Sequence, residues 1–139
     1  MDLGIEGRHA IVCASSRGLG FACADALAGE GVHLAINGRD RKTLDDARER
    51  LVDAHGVHVW PVEGDIADPS TRAALLGACP EPDILVNNNS GPSPGRFATW
   101  ERADWLDAID ANMLTPLDMI QLVLEGMVER GFGRIVNIT

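Results

Sequence analysis

Eight residues near the amino terminus, Cys13-Ala14-Ser15-Ser16-Arg17-Gly18-Leu19-Gly20, lie between an apolar run of strand length (residues 9–14) and a helical repeat (residues 19–28). Glycines let a backbone turn tightly and approach a pyrophosphate, and the free N–H groups at a helix start attract its negative charge. The segment therefore predicts a phosphate-binding turn between a strand and a helix. From these residues alone, the alternative is a glycine-rich turn that binds nothing.

The alternation of strand-like and helical patterns continues along the chain. Further strands are predicted at residues 32–36, 57–62, 84–87 and 134–139, and a short helix at 70–78. Asp40 is the expected N-cap of a second helix. Three helices should bury apolar stripes: Leu19, Ala22, Cys23, Ala26 and Leu27 in the first, Leu44, Ala47, Leu51 and Ala54 in the second, and Trp105, Ile109, Met113, Leu117, Ile120, Leu124 and Met127 in one long helix over 99–130.

Strict alternation of this kind predicts an α/β fold, with a doubly wound parallel sheet of strand order 3-2-1-4-5 in one domain over residues 1–139. In such sheets the ligand lies beyond the carboxyl ends of the strands, where the strand order reverses. Here that point falls between strands one and four. The loops after Ala14 and Asn87 should therefore lie side by side.

Composition narrows the classes of partner and of chemistry. The chain has 12 Lys and Arg against 21 Asp and Glu, a net charge of −9, so we expect no nucleic-acid or membrane partner. Three cysteines without metal-ligand spacing fit a reducing cytoplasm, and His55 and His58 are interpreted as surface residues, so no metal site is predicted. There is no tyrosine, and Lys42 is the single lysine.

Five segments together resemble the amino-terminal half of the short-chain dehydrogenase/reductase family. They are Gly18-Leu19-Gly20, Glu63-Gly64-Asp65-Ile66, Asn87-Asn88-Asn89-Ser90-Gly91, Asn112, and Gly133-Arg134-Ile135-Val136-Asn137-Ile138-Thr139. The chain departs from the family's pattern at Cys13, where Thr is usual, and at Ala14, where the first glycine is usual. Because Ala14 is not glycine, we expect a negative φ there. Asn89 and Ser90 replace the usual Ala and Gly.

The resemblance implies a Rossmann-like fold and a nicotinamide cofactor, with Asp65 near the adenine amino group and Asn112 as the helix Asn of the catalytic site. The implied cofactor-binding residues are Ala14, Ser16, Arg17, Gly18, Leu19, Gly20, Gly38, Arg39, Asp65, Ile66, Asn88, Asn89 and Ser90. The family's catalytic Ser, Tyr and Lys have no counterpart in the chain. The family also implies that a complete parent enzyme is a homo-oligomer through the helix of residues 105–127, and the loop at 91–95 resembles 3-oxoacyl-carrier-protein reductases.

Asn112 has an independent physical argument, because Pro116 lies four residues later in the same helical pattern. Proline has no N–H, so the carbonyl of Asn112 loses its helical partner at a cost of about 3 kcal/mol. In the family, a water held by the corresponding carbonyl connects the active-site Lys to solvent. The alternative is that Asn112 and Pro116 only mark a break between two helical segments.

The choice of cofactor depends on Asn37-Gly38-Arg39-Asp40, at the end of the second strand. Asp40 has roughly the separation from the glycine turn that a ribose-binding acid has in NAD(H) sites. Strand register instead places Gly38 and Arg39 at the ribose and leaves Asp40 to cap a helix. We therefore predict NADP(H), with Arg39 and Arg17 at the 2′-phosphate, over NAD(H). A solvated loop charge is the alternative for Arg39.

The family resemblance, taken with this cofactor, implies NADP(H)-dependent hydride transfer between nicotinamide and a small-molecule carbonyl or secondary alcohol. The 139-residue chain alone is expected to be inactive, because it lacks the Ser, Tyr and Lys. The competing hypothesis is a truncated or degenerate member that binds nucleotide or a complementary chain without turnover. Since the pattern stops after strand five, we also expect uncovered apolar surface and marginal stability. Trp100 and Trp105 are candidate pocket residues or packing residues.

Overall fold

The computed structural model describes residues 1–139 and contains one parallel sheet of five strands, with helices on both faces. Its order is β3-β2-β1-β4-β5, which confirms the predicted topology. The strands are β1 (His9–Val12), β2 (His33–Gly38), β3 (Val59–Glu63), β4 (Ile84–Asn87) and β5 (Arg134–Asn137). The α-helices are α1 (Gly18–Gly29), α2 (Arg41–His55), α3 (Pro69–Ala78), α4 (Arg102–Ile109) and α5 (Thr115–Glu129).

Strand β1 lies at the centre of the sheet. Ile11 is the register partner of Ala35 in β2 and of Leu85 in β4, and all three are fully buried. They belong to the core cluster that includes Met119 of α5, whereas Val12, the next residue along β1, belongs to the cluster that includes residues of α1 and α2. Burial on both faces explains why β1 and β4 are continuous apolar runs.

The predicted stripe of α1 is wrong. The residues of α1 that are buried are Gly20, Ala24 and Ala28, while Leu19 is 68% exposed. Small residues occupy the buried face because Gly20 packs directly against the backbone of the preceding turn. Leu19, the largest apolar residue of the predicted stripe near the turn, lines a cleft instead of the core. Cys23 is half-buried and packs against the core.

In α2 the prediction is closer. The Asp40 carboxylate accepts a hydrogen bond from the Thr43 backbone N–H at 2.8 Å, which confirms the N-cap. Leu44, Ala47 and Leu51 are buried as expected. Ala54 is exposed in the last turn of the helix, which ends at His55.

The single long helix predicted over 99–130 is also wrong, because a five-residue π-helical segment (Asp110–Leu114) separates α4 from α5. A π turn adds a residue to the helical count and rotates the following face by about 100°. The buried residues of α5 are Thr115, Met119, Val123 and Met127, so of the predicted stripe Met127 is buried and Ile120 partly buried. Exposed apolar residues of this region are Trp105, Leu106, Ile109, Met113, Leu114, Leu117, Leu122, Leu124 and Val128.

None of the helices has both the length and the apolar character needed to cross a membrane.

Candidate functional site

A cleft of about 550 Å³ opens at the carboxyl ends of β1, β2 and β4, where the strand order reverses. It brings together the predicted cofactor-binding residues except Gly18 and Gly20. Those lining the cleft are Ala14, Ser16, Arg17, Leu19, Gly38, Arg39, Asp65, Ile66, Asn88, Asn89 and Ser90. The loops after β1 and β4 therefore meet as the topology predicts.

Ala14 begins the first turn with a φ of 45°, so the expected negative φ is wrong. Both of its peptide groups are held by side chains, one in β2 and one in the loop that follows β4. Its N–H donates to Asn37 Oδ1 at 3.2 Å, and its carbonyl accepts from Asn88 Nδ2 at 3.1 Å. The turn geometry thus overrides the steric preference of an alanine, at a cost of about 1–2 kcal/mol.

Glycine is required at three positions around this turn, for two reasons. Gly18 has a φ of 59°, a conformation that side chains disfavour. A Cβ on Gly20 would collide with the carbonyl oxygen of Ala14 and lie 2.8 Å from Asn88 Nδ2. A Cβ on Gly38 would lie 2.9 Å from both Cβ and Oγ of Ser16. The turn, the start of α1 and the end of β2 are therefore in direct contact.

Asn37 organises the cleft floor, and sequence reasoning missed it. It is buried, and its Nδ2 donates to the carbonyls of Val62 (3.1 Å) and Gly64 (3.0 Å). Its backbone N–H donates to the hydroxyl of Ser15, which is also buried. The signal in the sequence was an amide directly after the apolar residues of strand two. These bonds fix the ends of β1, β2 and β3 relative to one another.

Charged groups line one end of this cleft. Arg39 lies with its guanidinium 4.0 Å from the Asp65 carboxylate, and both side chains are about half exposed or more. Arg17 also lines the cleft. The hydroxyl and N–H of Thr43 donate to Asp40 and lower the pKa of its carboxyl below the usual value. Asp40 is therefore occupied as a cap, and Arg39 and Arg17 are the cations of the cleft.

Asn112 lines a neighbouring cleft of about 540 Å³, formed by the loop of residues 91–95 and the start of α4. Its side-chain amide donates to the carbonyl of Ala108 at 3.1 Å. Trp100 and Trp105 also line this cleft and meet edge to face, with ring centroids 5.2 Å apart. Ser90 lines both clefts, so the candidate catalytic residue lies next to the candidate cofactor site.

The histidines and cysteines considered as candidate site residues contact or pack against other residues of the fold. His55 contacts Asp25 at 2.8 Å, whereas His58 packs against His33, so the two histidines do not form a metal pair. The chain has no group of three or more His, Cys, Asp or Glu residues arranged to hold a metal ion. All three cysteines are free, and burial raises the pKa of the Cys13 thiol to about 12.

Comparison with known proteins identifies the family to which this chain belongs. The family model described as short chain dehydrogenase matches residues 8–139. The chain belongs to the short-chain dehydrogenase family. It is 30% identical to the uncharacterized oxidoreductase YvaG of Bacillus subtilis, over 99% of this chain and 53% of that protein.

Two further short-chain dehydrogenase relatives carry cofactor information in their own descriptions. The NADPH-dependent reductase BacG of Bacillus subtilis is 30% identical, over 94% of this chain and 52% of that protein. A crystal structure of L-sorbose reductase from Gluconobacter frateurii, complexed with NADPH and L-sorbose, superposes with a TM-score of 0.92 at 30% identity, over 99% of this chain and 54% of that chain. The chain thus spans about half the length of these relatives.

Proposed function

We propose that the chain is the dinucleotide-binding portion of an NADP(H)-dependent oxidoreductase, which moves a hydride between nicotinamide and a carbonyl or secondary alcohol. The observation that carries this proposal is the cleft at the reversal of strand order, where a helix start, glycine contacts and two arginines converge. Oxidoreductase relatives, one of them bound to NADPH and a sugar, support it. NADPH supplies the hydride when bound.

The residues present fit a dinucleotide. The close contacts of Gly20 with Ala14 and of Gly38 with Ser16 leave no room for side chains, which lets a pyrophosphate approach the backbone at the start of α1. Asp65 would hold the adenine, as the family resemblance implies. The further residues proposed for the cofactor are Ile66, Asn88, Asn89 and Ser90, which complete the wall formed after β3 and β4.

NADP(H) is the proposed cofactor because the two cationic side chains lie where the ribose is expected. Arg39 follows the last residue of β2, and Arg17 is the residue before α1. Guanidinium groups form charge-assisted hydrogen bonds with phosphate. Asp40, the acid that would favour NAD(H), already accepts hydrogen bonds from Thr43. NADPH-dependent relatives agree with this choice.

Hydride transfer also requires a proton path, for which the chain offers Asn112. Its carbonyl lies four residues before Pro116, which has no N–H, and is proposed to hold a water of that path. The chain contains no tyrosine, the family's acid/base residue. We therefore expect the 139-residue chain to bind NADPH without reducing any carbonyl. Turnover by protein of verified mass would contradict this.

Isothermal titration of the folded chain with NADPH and NADH tests the proposal. We expect NADPH to bind about 10-fold or more tightly than NADH, equivalent to about 1.4 kcal/mol. Folded protein that binds neither nucleotide would overturn the proposed function. Tighter binding of NADH would overturn only the choice of cofactor.

A separate observation supports a second candidate function, a non-catalytic role in which the chain binds nucleotide and pairs with another chain. The side chains of α4 and the π-helical segment include four exposed apolar groups, those of Trp105, Leu106, Ile109 and Met113. Apolar surfaces of this kind mark interaction sites. We propose a homo-oligomer in which these side chains are buried between subunits. We also propose a cytoplasmic location, because the reducing conditions there suit three free cysteines. A monomer in light scattering at micromolar concentration would contradict the oligomer.

A further inference from the structure

Three consecutive asparagines follow or end β4, and each binds a different part of the chain. Asn87 donates to Asn137 Oδ1 in β5 at 2.9 Å. Asn88 donates to the carbonyl of Ala14 in the first turn. Asn89 donates through Nδ2 to the carbonyl of Ala111 at 3.1 Å, and Ala111 belongs to the π-helical segment. Asn89 thus joins the cofactor cleft to the segment that carries Asn112.

The carbonyl of Ala111 needs a donor from outside its own helix. In an α-helix its partner would be the N–H of Thr115, but that N–H donates to Asp110 instead. In a π-helix its partner would be residue 116, which is proline and has no N–H. Both ordinary donors are therefore missing. The Asn89 amide supplies the bond that the backbone lacks.

The Asn89 side chain is used at both of its polar ends. Its Oδ1 accepts the backbone N–H of Ser90 at 2.8 Å, while its Nδ2 faces Ala111. The bond from Asn89 occupies the Ala111 carbonyl and so weakens it as an acceptor for the Thr115 N–H. This favours the π turn, in which that N–H donates to Asp110. Within that turn, the carbonyl of Asn112 has no α-helical donor, since its partner would be Pro116.

We propose that Asn89 is a positioning residue that maintains the π turn and so fixes where the carbonyl of Asn112 lies beside the second cleft. This role rests on the proposed oxidoreductase function, in which that carbonyl holds a water of the proton path. The bond needs the Asn89 amide, because a side chain without an N–H donor could not form it.

Nuclear magnetic resonance of the 139-residue chain tests the tether with Asn89→Asp and Asn89→Ala. Aspartate keeps the size of the side chain and the acceptor for Ser90 but removes the donor. In both variants we expect the carbonyl ¹³C resonances of Ala111 and Asn112 to move. We also expect the Thr115 amide resonance to move, because its N–H can then donate to the freed Ala111 carbonyl instead of to Asp110. Ser90→Ala, which retains the backbone N–H, is the matched control.

The outcomes separate the tether from nucleotide binding. Unchanged resonances of Ala111, Asn112 and Thr115 in Asn89→Asp, in protein whose β1 and β4 amides remain protected, would overturn the proposal. The same would follow if Ser90→Ala moved them equally, because the effect would then be a general one of the loop. Titration of the same samples with NADPH tests the proposed function separately. If the unmodified chain does not bind NADPH, the proposed function is overturned, but the spectra still show whether the tether exists.

Discussion

The two ends of the sheet differ in the chemistry of the residues placed there. At the carboxyl end, Asn37, Ser15 and Asn88 hold the backbone with neutral amide and hydroxyl groups. At the amino end, the rings of His9 and His33 lie 5.4 Å apart, and Trp60 stacks at 6.3 Å from His9. The comparison shows that close backbone approach, which a pyrophosphate needs, is built at one end, whereas the other end holds a cluster of packed imidazole and indole rings.

Gly20→Ala should have the largest effect, because the new Cβ collides with backbone at the carboxyl end. We expect a loss of about 3 kcal/mol of unfolding free energy, at the upper end for overpacking, together with loss of NADPH binding. Urea denaturation and calorimetric titration measure the two effects. The control is Gly77→Ala in α3, which meets no atom within 4 Å and should stabilise the chain by about 0.5–1 kcal/mol. Equal effects of the two substitutions would mean that the turn has room to yield.

Arg39→Asp should have the next largest effect, because it removes a cation from the cleft and adds a charge that repels phosphate. NADP(H) binding should weaken by about 1.5–3 kcal/mol, with NAD(H) binding similar or improved. The control is Arg41→Ala, whose partner is the exposed Asp45 on the next turn of α2. Equal losses for both cofactors would show that Arg39 is structural.

The sequence was sufficient for the topology and for most of the cleft, because both depend on local patterns. Alternating apolar runs and helical repeats specify a parallel sheet, and parallel sheets place their loops at predictable edges. Asp40 was predicted as a cap from its position alone, and the structure places Thr43 against it. Glycine spacing likewise located the turn before α1.

The errors arose where tertiary contacts override local preference. The positive φ of Ala14 follows from bonds to Asn37 and Asn88, which are 23 and 74 residues away along the chain. The π turn interrupts the predicted long helix, which a period of 3.6 residues does not anticipate, and the predicted residues Trp105 and Ile109 before the turn are exposed as well. Small residues on the buried face of α1 reflect close packing, which apolar patterning alone does not show.

Ala14→Gly tests the same turn at the carboxyl end of the sheet, with a smaller effect on the unfolding free energy and of opposite sign. Glycine adopts a φ of 45° without the steric penalty, so the variant should gain about 1 kcal/mol of unfolding free energy, partly offset by chain entropy. Gly18→Ala, at a φ of 59° with open space around it, should lose a similar amount. Thermal and urea unfolding check both. Destabilisation by Ala14→Gly would mean that the alanine methyl group contributes packing that outweighs the strain.

The smallest effect is expected at the amino end and concerns pH. Burial lowers the pKa of His33, and the charges of His58 and His9 lower it further. In the unfolded chain His33 has the ordinary imidazole pKa of about 6.5, so the unfolded chain binds more protons than the folded chain. The stability that His33 contributes is therefore complete above that pH. It is lost as the pH falls through the lowered pKa of the folded chain. His33→Gln should flatten this fall in urea unfolding between about pH 7 and pH 5. His55→Gln, which leaves the three-histidine cluster intact, should retain it. An unchanged pH profile in His33→Gln would show that a group other than His33 produces the fall.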